Sequence, residues 1–417
     1  MLKQISGSQG VAEAVALCRP EVICAYPITP QTHIVEGLGK LVKSGQLQPC
    51  EFVNVESEFA ALSVGIGSSA TGARTYTATA SQGLLFMAEA VYNAAGLGLP
   101  IVMTVGNRAI GAPINIWNDH SDSMAMMDSG WLQLHAETNQ EAVDLHIQAF
   151  RLAEVLSMPV MVCMDGFILT HAYERIDLPD QEQVDRFLPP YEPRQVLDPE
   201  DPISIGAMVG PEAFTEVRYL EHVRQMAALQ LIPRIAEEFK GVFGRDSGGL
   251  VSSYRADDAS LLVVAMGSVV GTLCDLVDEM RAEGVAIGVV SIRSFRPFPQ
   301  AAVLEALTNA DRVVVFEKSL AVGLGGMLGA HIDMSLRHVT LPIHNVIGGL
   351  GGRPITRTSL REMLAKAMSG ELEPLHFLDL KQGPVDRQLE EAARSRRTGG
   401  IAESILRDMG LVTVAKT

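Results

Sequence analysis

Four short segments of this sequence bring acids, hydroxyls, a guanidinium and an imidazole into settings suited to a site. The first is Ala25-Tyr26-Pro27-Ile28-Thr29-Pro30-Gln31-Thr32. Each proline pushes its predecessor toward an extended conformation, so Tyr26 and Thr29 are expected to be extended. Thr29 then falls at the N-cap, and Pro30 at the first position, of a helix expected over 31–42. A hydroxyl there lies at the positive end of the helix dipole, where a carboxylate ligand is welcome; a plain helix cap satisfies the same pattern. The second segment is Val55-Glu56-Ser57-Glu58-Phe59-Ala60-Ala61. On a helix Glu58 shares its face with Ala61, Gly65 and Ser68, and Glu56 shares its face with Ala60, Ser63 and Gly67. Small residues on both faces let a backbone or a flat cofactor come close, so spacing does not choose between the two acids. The third is Gly106-Asn107-Arg108-Ala109-Ile110, just past an apolar run. Arg108 there suits bidentate capture of a carboxylate, with a structural ion pair as the plain alternative. The fourth, Ile116-Trp117-Asn118-Asp119-His120-Ser121-Asp122, groups Asp and His without a helical i,i+4 ligand pair or an HExxH motif. Asn118, Asp119 and His120 are therefore expected to line a site or an interface, with no metal.

These segments need a frame. Apolar runs predict strands over 21–25, 52–55, 74–80, 100–105 and 159–164, alternating with helices over 31–42, 57–70, 83–95 and 141–156. Such alternation implies an α/β fold with a parallel sheet covered on both faces. Ligands of such sheets bind beyond the carboxyl ends of the strands, where these segments fall. From 176 to 256, prolines at 179, 189, 190, 193, 199 and 202 predict an extended connection, followed by a helix over about 215–239. The Gly/Ser/Asp cluster at 244–253 marks a boundary. A second α/β unit then begins, with strands over 261–266, 285–292 and 312–317 and helices over 269–283, 300–309 and 359–368. The end of the chain, with Arg394, Arg396 and Arg397 among Glu and Ala, reads as a solvated helical tail.

Composition bounds the function. The 417 residues are 47% hydrophobic and 20% charged, which is enough for sizeable cores. A net charge of −16 argues against nucleic acid and anionic membrane as partners. The 5 cysteines include no CxxC, so no iron–sulfur or zinc ligand set is expected in this chain. The odd cysteine count, with no apolar leader after Met1, predicts reduced thiols and a cytoplasmic location. The longest apolar stretch, 261–274, is interrupted by Gly267 and Ser268 and is too short to span a bilayer. The Gly-rich run at 323–329 lacks the dinucleotide spacing. Asp165-Gly166 follows Met164, and no asparagine lies between Asn139 and Asn309, so the Gly-Asp-Gly diphosphate–metal motif is missing.

Taken together, AYPITPQT, VESEFAA, TASQGL (79–84), GNRAIGAPINIWNDHSD and MDGFILTH (164–171) resemble, in this order, the 2-oxoacid:ferredoxin oxidoreductases, over residues 1 to about 385. The resemblance implies two parallel-sheet domains. Residues 1–250 would form a thiamine-diphosphate-binding-like domain serving the pyrimidine side, and 257–385 a transketolase C-terminal-like domain, with 386–417 outside the likeness. It implies an alpha chain that ends where separate-subunit forms end theirs. Such a chain leaves most of the Mg2+–diphosphate site to a beta subunit and the 4Fe-4S clusters to gamma- and delta-type subunits. Ferredoxin, coenzyme A and pyruvate would complete the reaction. Residue by residue, Glu58 matches the acid at the aminopyrimidine N1′, and Thr29 and Arg108 match the groups that hold the substrate carboxylate and carbonyl. Tyr26, Pro27, Ser81 and Gln82 would line the cofactor. Arg108 is the one evident cation, so pyruvate is expected rather than 2-oxoglutarate. Two rivals remain. One is a two-electron, lipoate- or acceptor-linked 2-oxoacid dehydrogenase or a transketolase-type enzyme, against which YPITP and NDHSD speak. The other is a non-catalytic scaffolding subunit, against which the joint presence of Thr29, Glu58 and Arg108 speaks.

Overall fold

The computed structural model describes residues 1–395 and 399–412. Among them the strands form three sheets. The first has seven strands in the order β3-β2-β4-β5-β7-β6-β12: β3 (Glu51–Asn54), β2 (Val22–Ala25), β4 (Thr75–Thr79), β5 (Ile101–Asn107), β7 (Val160–Asp165), β6 (Leu132–His135) and β12 (Ser294–Arg296). All pairs are parallel except β12 on β6. Every residue of β4, β5 and β7 is buried, as a sheet covered on both faces requires. The chain leaves β2 toward β3 on one side and leaves the adjacent β4 toward β5 on the other. The carboxyl ends of β2 and β4 therefore flank a crevice of the kind that receives ligands in open α/β sheets.

The second sheet has six strands in the order β15-β14-β13-β10-β11-β9: β15 (Leu375–Phe377), β14 (Ile343–Ile347), β13 (Arg312–Glu317), β10 (Leu261–Ala265), β11 (Ile287–Ile292) and β9 (Val251–Tyr254). Only β9 runs antiparallel. β1 (Leu2–Ser6) and β8 (Tyr173–Asp177) form a separate antiparallel pair. The two large sheets interlock. β12, which follows β11 in sequence, crosses over to extend the first sheet beside β6. Arg293, just before it, donates to Glu137 and pairs with Glu141 on the first unit.

Local chemistry sets the elements that matter to the site. Ser57, extended at φ −160°, accepts from the Ala60 N–H at 3.2 Å and starts the helix Glu58–Ala70. Thr138 caps the helix Asn139–Leu156 in the same way. That helix covers the first sheet and packs on the long helix Phe214–Phe243, which buries Ala228, Ile232, Ile235 and Phe239.

The structure departs from the sequence reading in several places. The helix expected over 83–95 is two helices, Ser81–Phe86 and Ala88–Gly96, which meet at Met87. The extended connection holds β8 and a helix, Gln181–Phe187, which is started by a capping box between Asp180 and Gln183. The long helix runs on to Phe243 through Pro233. β6 and β12 are too short and too polar for periodicity to signal. At the end of the chain, helices Gln382–Arg394 and Ile401–Asp408 pack on each other. Arg396 and Arg397, assigned above to the tail, lie outside the described residues.

Candidate active site

The residues singled out from sequence follow the carboxyl ends of successive strands of the first sheet. Thr29 follows β2, Glu58 follows β3, Ser81 and Gln82 follow β4, and Arg108 follows β5. Thr29 is not the N-cap. The chain turns at Ile28–Gln31, with the Gln31 N–H donating to the Ile28 carbonyl at 2.9 Å, and the helix begins at Thr32 with Gln31 as its cap residue. Thr29 is exposed, and its backbone carbonyl accepts from Arg108 Nη1 at 2.8 Å. Tyr26 and Pro27 are exposed on the same turn. Gln31 was not singled out from sequence beyond its place in the motif. It is fully buried, and its Nε2 holds the turn by donating to the Tyr26 carbonyl at 2.9 Å and the Ala78 carbonyl at 3.3 Å. Its Oε1 has no partner among the described residues.

Burial separates the two acids that spacing left equal. Glu56 is exposed, whereas Glu58, the first residue of its helix, is 7% exposed. The Glu58 carboxylate makes no hydrogen bond or ion pair among the described residues. It lies against Gly83. A Cβ on Gly83 would stand 2.6 Å from Glu58 Oε1 and 2.7 Å from Thr79 Oγ1, itself buried without a partner. The glycine therefore makes room for an acid that no group among the described residues neutralises.

Arg108 is 6% exposed. Besides Thr29, the Asn115 carbonyl accepts from its Nε at 3.2 Å. No carboxylate forms an ion pair with it among the described residues, so the structural ion pair allowed by the sequence is not what holds it. Burial lowers its pKa, and the charge of Asp122 acts in the opposite direction. A guanidinium stays charged in proteins, so a desolvated cation faces this crevice.

Asp122, which sequence reasoning passed over, ties these pieces together. Its fully buried carboxylate accepts from the Ser81 N–H at 2.8 Å, the Arg108 N–H at 3.0 Å, the Ser123 N–H at 2.8 Å and Asn107 Nδ2 at 2.8 Å. Burial outweighs the downward pull of these donors and leaves its pKa raised to about 6. Ser81, at φ +49°, donates through its hydroxyl to the Ala109 carbonyl at 2.5 Å and to the Gln82 side chain. Gln82 reaches toward Gly111, where a Cβ would stand 2.6 Å from its Nε2.

Asn118, Asp119 and His120 are buried between the two units; Asn118 Nδ2 has no partner among the described residues, and Asp119 and His120 take separate ones. The Asp119 carboxylate accepts from the Ser121 N–H and from the Gly351 N–H, both at 3.0 Å. His120 Nε2 lies 2.7 Å from Asp165 Oδ1. Lys318, just past β13, donates to Asp165 Oδ2 at 2.7 Å, and the Ser268 N–H does so at 2.9 Å. Burial alone would push the Asp165 carboxyl up, but Lys318 and His120 hold it well below the usual carboxylate range. Asp119, His120 and Asp122 thus point to different partners.

The residues fit a thiamine ring better than a diphosphate. Thr79 Oγ1 and Gln31 Oε1 are buried without partners among the described residues, and Gly83 gives the Glu58 carboxylate its place beside Thr79. Asp165, the one acid in a setting like the diphosphate–metal motif, is already spent on Lys318 and His120.

Residues 13–236 match the family described as "Pyruvate flavodoxin/ferredoxin oxidoreductase, thiamine diP-bdg". Residues 259–360 match "Pyruvate:ferredoxin oxidoreductase core domain II". The chain belongs to the pyruvate flavodoxin/ferredoxin oxidoreductase family. It is 48% identical over 387 residues to a pyruvate synthase subunit PorA of Methanosarcina barkeri, covering 91% of this chain and 96% of that one. To the PorA subunit of Methanothermobacter thermautotrophicus it is 45% identical, covering 89% and 96%. To a ketoisovalerate oxidoreductase subunit VorA of Pyrococcus abyssi it is 38% identical, covering 93% and 96%. Among solved structures it is similar to a 2-oxoglutarate:ferredoxin oxidoreductase from Magnetococcus marinus, with a TM-score of 0.67 and 18% identity. That match covers 89% of this chain and 65% of the neighbour, so the chain spans less than two thirds of that protein. A split-gene transketolase matches with a TM-score of 0.53 and 13% identity, over 88% of this chain and 99% of the other. At such identities both structures speak to the fold alone, and they agree with the family's α/β architecture. No helix among the described residues is long and apolar enough to cross a membrane.

Gly83→Ala is expected to lower the melting temperature of the assembled protein, although alanine is the better helix former by about 1 kcal/mol. The loss should shrink in a Glu58→Ala background, where the crowding oxygen is gone. An equal loss in both backgrounds would place the Glu58 carboxylate elsewhere.

Proposed function

We propose that this chain is the alpha subunit of a pyruvate:ferredoxin oxidoreductase, which converts pyruvate and coenzyme A reversibly to acetyl-CoA and CO2 and passes electrons to ferredoxin. The observation that carries the reading is the Glu58 carboxylate, which makes no hydrogen bond or ion pair among the described residues, set on the same sheet edge as a guanidinium that pairs with no carboxylate among them. Thiamine diphosphate, when bound, supplies the electron sink for decarboxylation of a 2-oxoacid. Glu58 would face N1′ of its aminopyrimidine and hold a proton there, with Gly83 and the Ser81–Gln82 turn lining the ring. Arg108 would grip the substrate carboxylate through the N–H groups that Thr29 and Asn115 leave free. Thr29 would contact the substrate carboxylate or carbonyl from the opposite turn. The exposed apolar side chains Ile114, Ile116 and Trp117 beside this crevice suit a partner that closes it and excludes water.

The partner assignment rests on what the sequence lacks. Without CxxC or Gly-Asp-Gly, the 4Fe-4S clusters and most of the Mg2+–diphosphate site fall to gamma-, delta- and beta-type subunits. Arg108 is the one cation that the described contacts bring to Thr29, so a second carboxylate, as in 2-oxoglutarate, would find no counter-charge there. The higher identity to pyruvate synthase subunits than to the ketoisovalerate subunit supports the same substrate. Ferredoxin-linked rather than NAD-linked turnover by the assembled complex separates this reading from a two-electron dehydrogenase.

In the assembled complex, Glu58→Gln should abolish pyruvate-dependent ferredoxin reduction while Glu56→Gln stays near wild type; the reverse pattern would assign the wrong acid. Arg108→Ala should lower kcat/KM for pyruvate by roughly two orders of magnitude, from loss of a charged contact worth about 3 kcal/mol. Near-wild-type kinetics would take Arg108 out of the substrate site.

A further inference from the structure

The Arg108 guanidinium is steadied from two sides by backbone carbonyls, and the two sides rest on different parts of the molecule. The Thr29 carbonyl belongs to the turn after β2. The Asn115 carbonyl belongs to a loop that is fastened to the second unit. Asn115 Nδ2 donates to the Gly351 carbonyl at 3.1 Å, and its Oδ1 accepts from the Trp117 N–H at 2.7 Å. Asp119, four residues on, takes the Gly351 N–H at 3.0 Å. Both polar groups of one glycine are thus spent on the loop that carries the Arg108 contact. The His120 N–H adds a further tie, donating to the Lys318 carbonyl at 2.8 Å.

The turn that grips the loop has little freedom to be anything else. Gly349, Gly351 and Gly352 all have positive φ, at 73°, 57° and 77°. Side chains other than glycine rarely adopt that region. A Cβ on Gly351 would also stand 2.5 Å from Asn115 Nδ2, and one on Gly352 would stand 2.4 Å from Trp117 Cβ. The second unit supplies none of the Thr29, Glu58 and Arg108 groups, yet its glycine turn at 349–352 is shaped around the loop beside Arg108.

We infer that the glycine turn at 349–352 is a positioning device for Arg108: the Asn115–Gly351 pair sets where the guanidinium stands and so tunes affinity for the 2-oxoacid carboxylate. This rests on the substrate role proposed for Arg108. Asn115 and Gly351 are positioning residues that act through Arg108 and touch no substrate. A bidentate contact is sensitive to ångström displacements, which cost up to about a hundredfold in well-organised sites.

The test is a double-mutant cycle in the assembled enzyme, with KM and kcat for pyruvate measured separately. Asn115→Asp removes the donor to Gly351 and keeps the acceptor for the Trp117 N–H. Gly351→Ala attacks the same pair from the other side, so either variant carries the cycle if the other does not assemble. Each is expected to raise KM about tenfold while kcat stays within about twofold. In an Arg108→Ala background neither should change kcat/KM by more than about twofold, because the group they act through is gone. Equal losses in both backgrounds would overturn the inference while leaving the Arg108 reading intact. An Arg108→Ala enzyme with wild-type kinetics would remove the substrate reading, and this inference with it.

Discussion

One buried carboxylate organises the rim of the first sheet. Asp122 gathers backbone N–H groups from the ends of β4 and β5 and a side-chain amide from Asn107. Taking a carboxylate out of water costs several kcal/mol, and charge-assisted hydrogen bonds offset that cost only when they saturate it. Ser81 and Arg108 are therefore fixed relative to each other by a shared acceptor. Ser81 in turn starts the helix whose Gly83 receives Glu58, and Arg108 reaches Thr29. Thr29, Glu58, Ser81 and Arg108 are thereby linked through this one anion, although they come from four different strand ends.

The acids of this region divide by what neutralises them. Asp122 is satisfied by dipoles. Asp165 is satisfied by Lys318 and His120, and it joins the two units. Glu58 has no hydrogen bond or ion pair among the described residues, which is what the proposed contact with a cofactor rests on. The cations show the same division. Lys318 and Arg293 are spent between the units, whereas among the described residues the Arg108 guanidinium is held by neutral carbonyls and by no carboxylate.

Much of this was legible in the chain. The alternation of apolar runs placed the strands and set Thr29, Glu58 and Arg108 just past strand ends, whereas Ser81 came in only through the family resemblance. Thr29 and Arg108 do touch, but through a backbone carbonyl, because the turn closes at Gln31 and the helix starts three residues beyond Thr29. Helical spacing could not separate Glu56 from Glu58, since the difference is burial against Gly83, a contact 25 residues away that no local pattern encodes. Asp122 was hidden for a related reason. Its role is to accept N–H groups from distant segments, and a sequence shows side-chain types but not which backbone groups lack partners. The crossing of β12 into the first sheet was equally silent, because a three-residue strand carries almost no periodic signal.

The central claim is that Glu58 is left bare for the cofactor ring and Arg108 for the substrate. It is tested most directly by a structure of the assembled complex holding thiamine diphosphate and pyruvate. Glu58 is then expected within hydrogen-bonding reach, about 2.6–3.2 Å, of the aminopyrimidine N1′, with the Arg108 guanidinium on the pyruvate carboxylate. A complex in which a partner subunit's cation caps Glu58 and another acid meets N1′ would contradict the account.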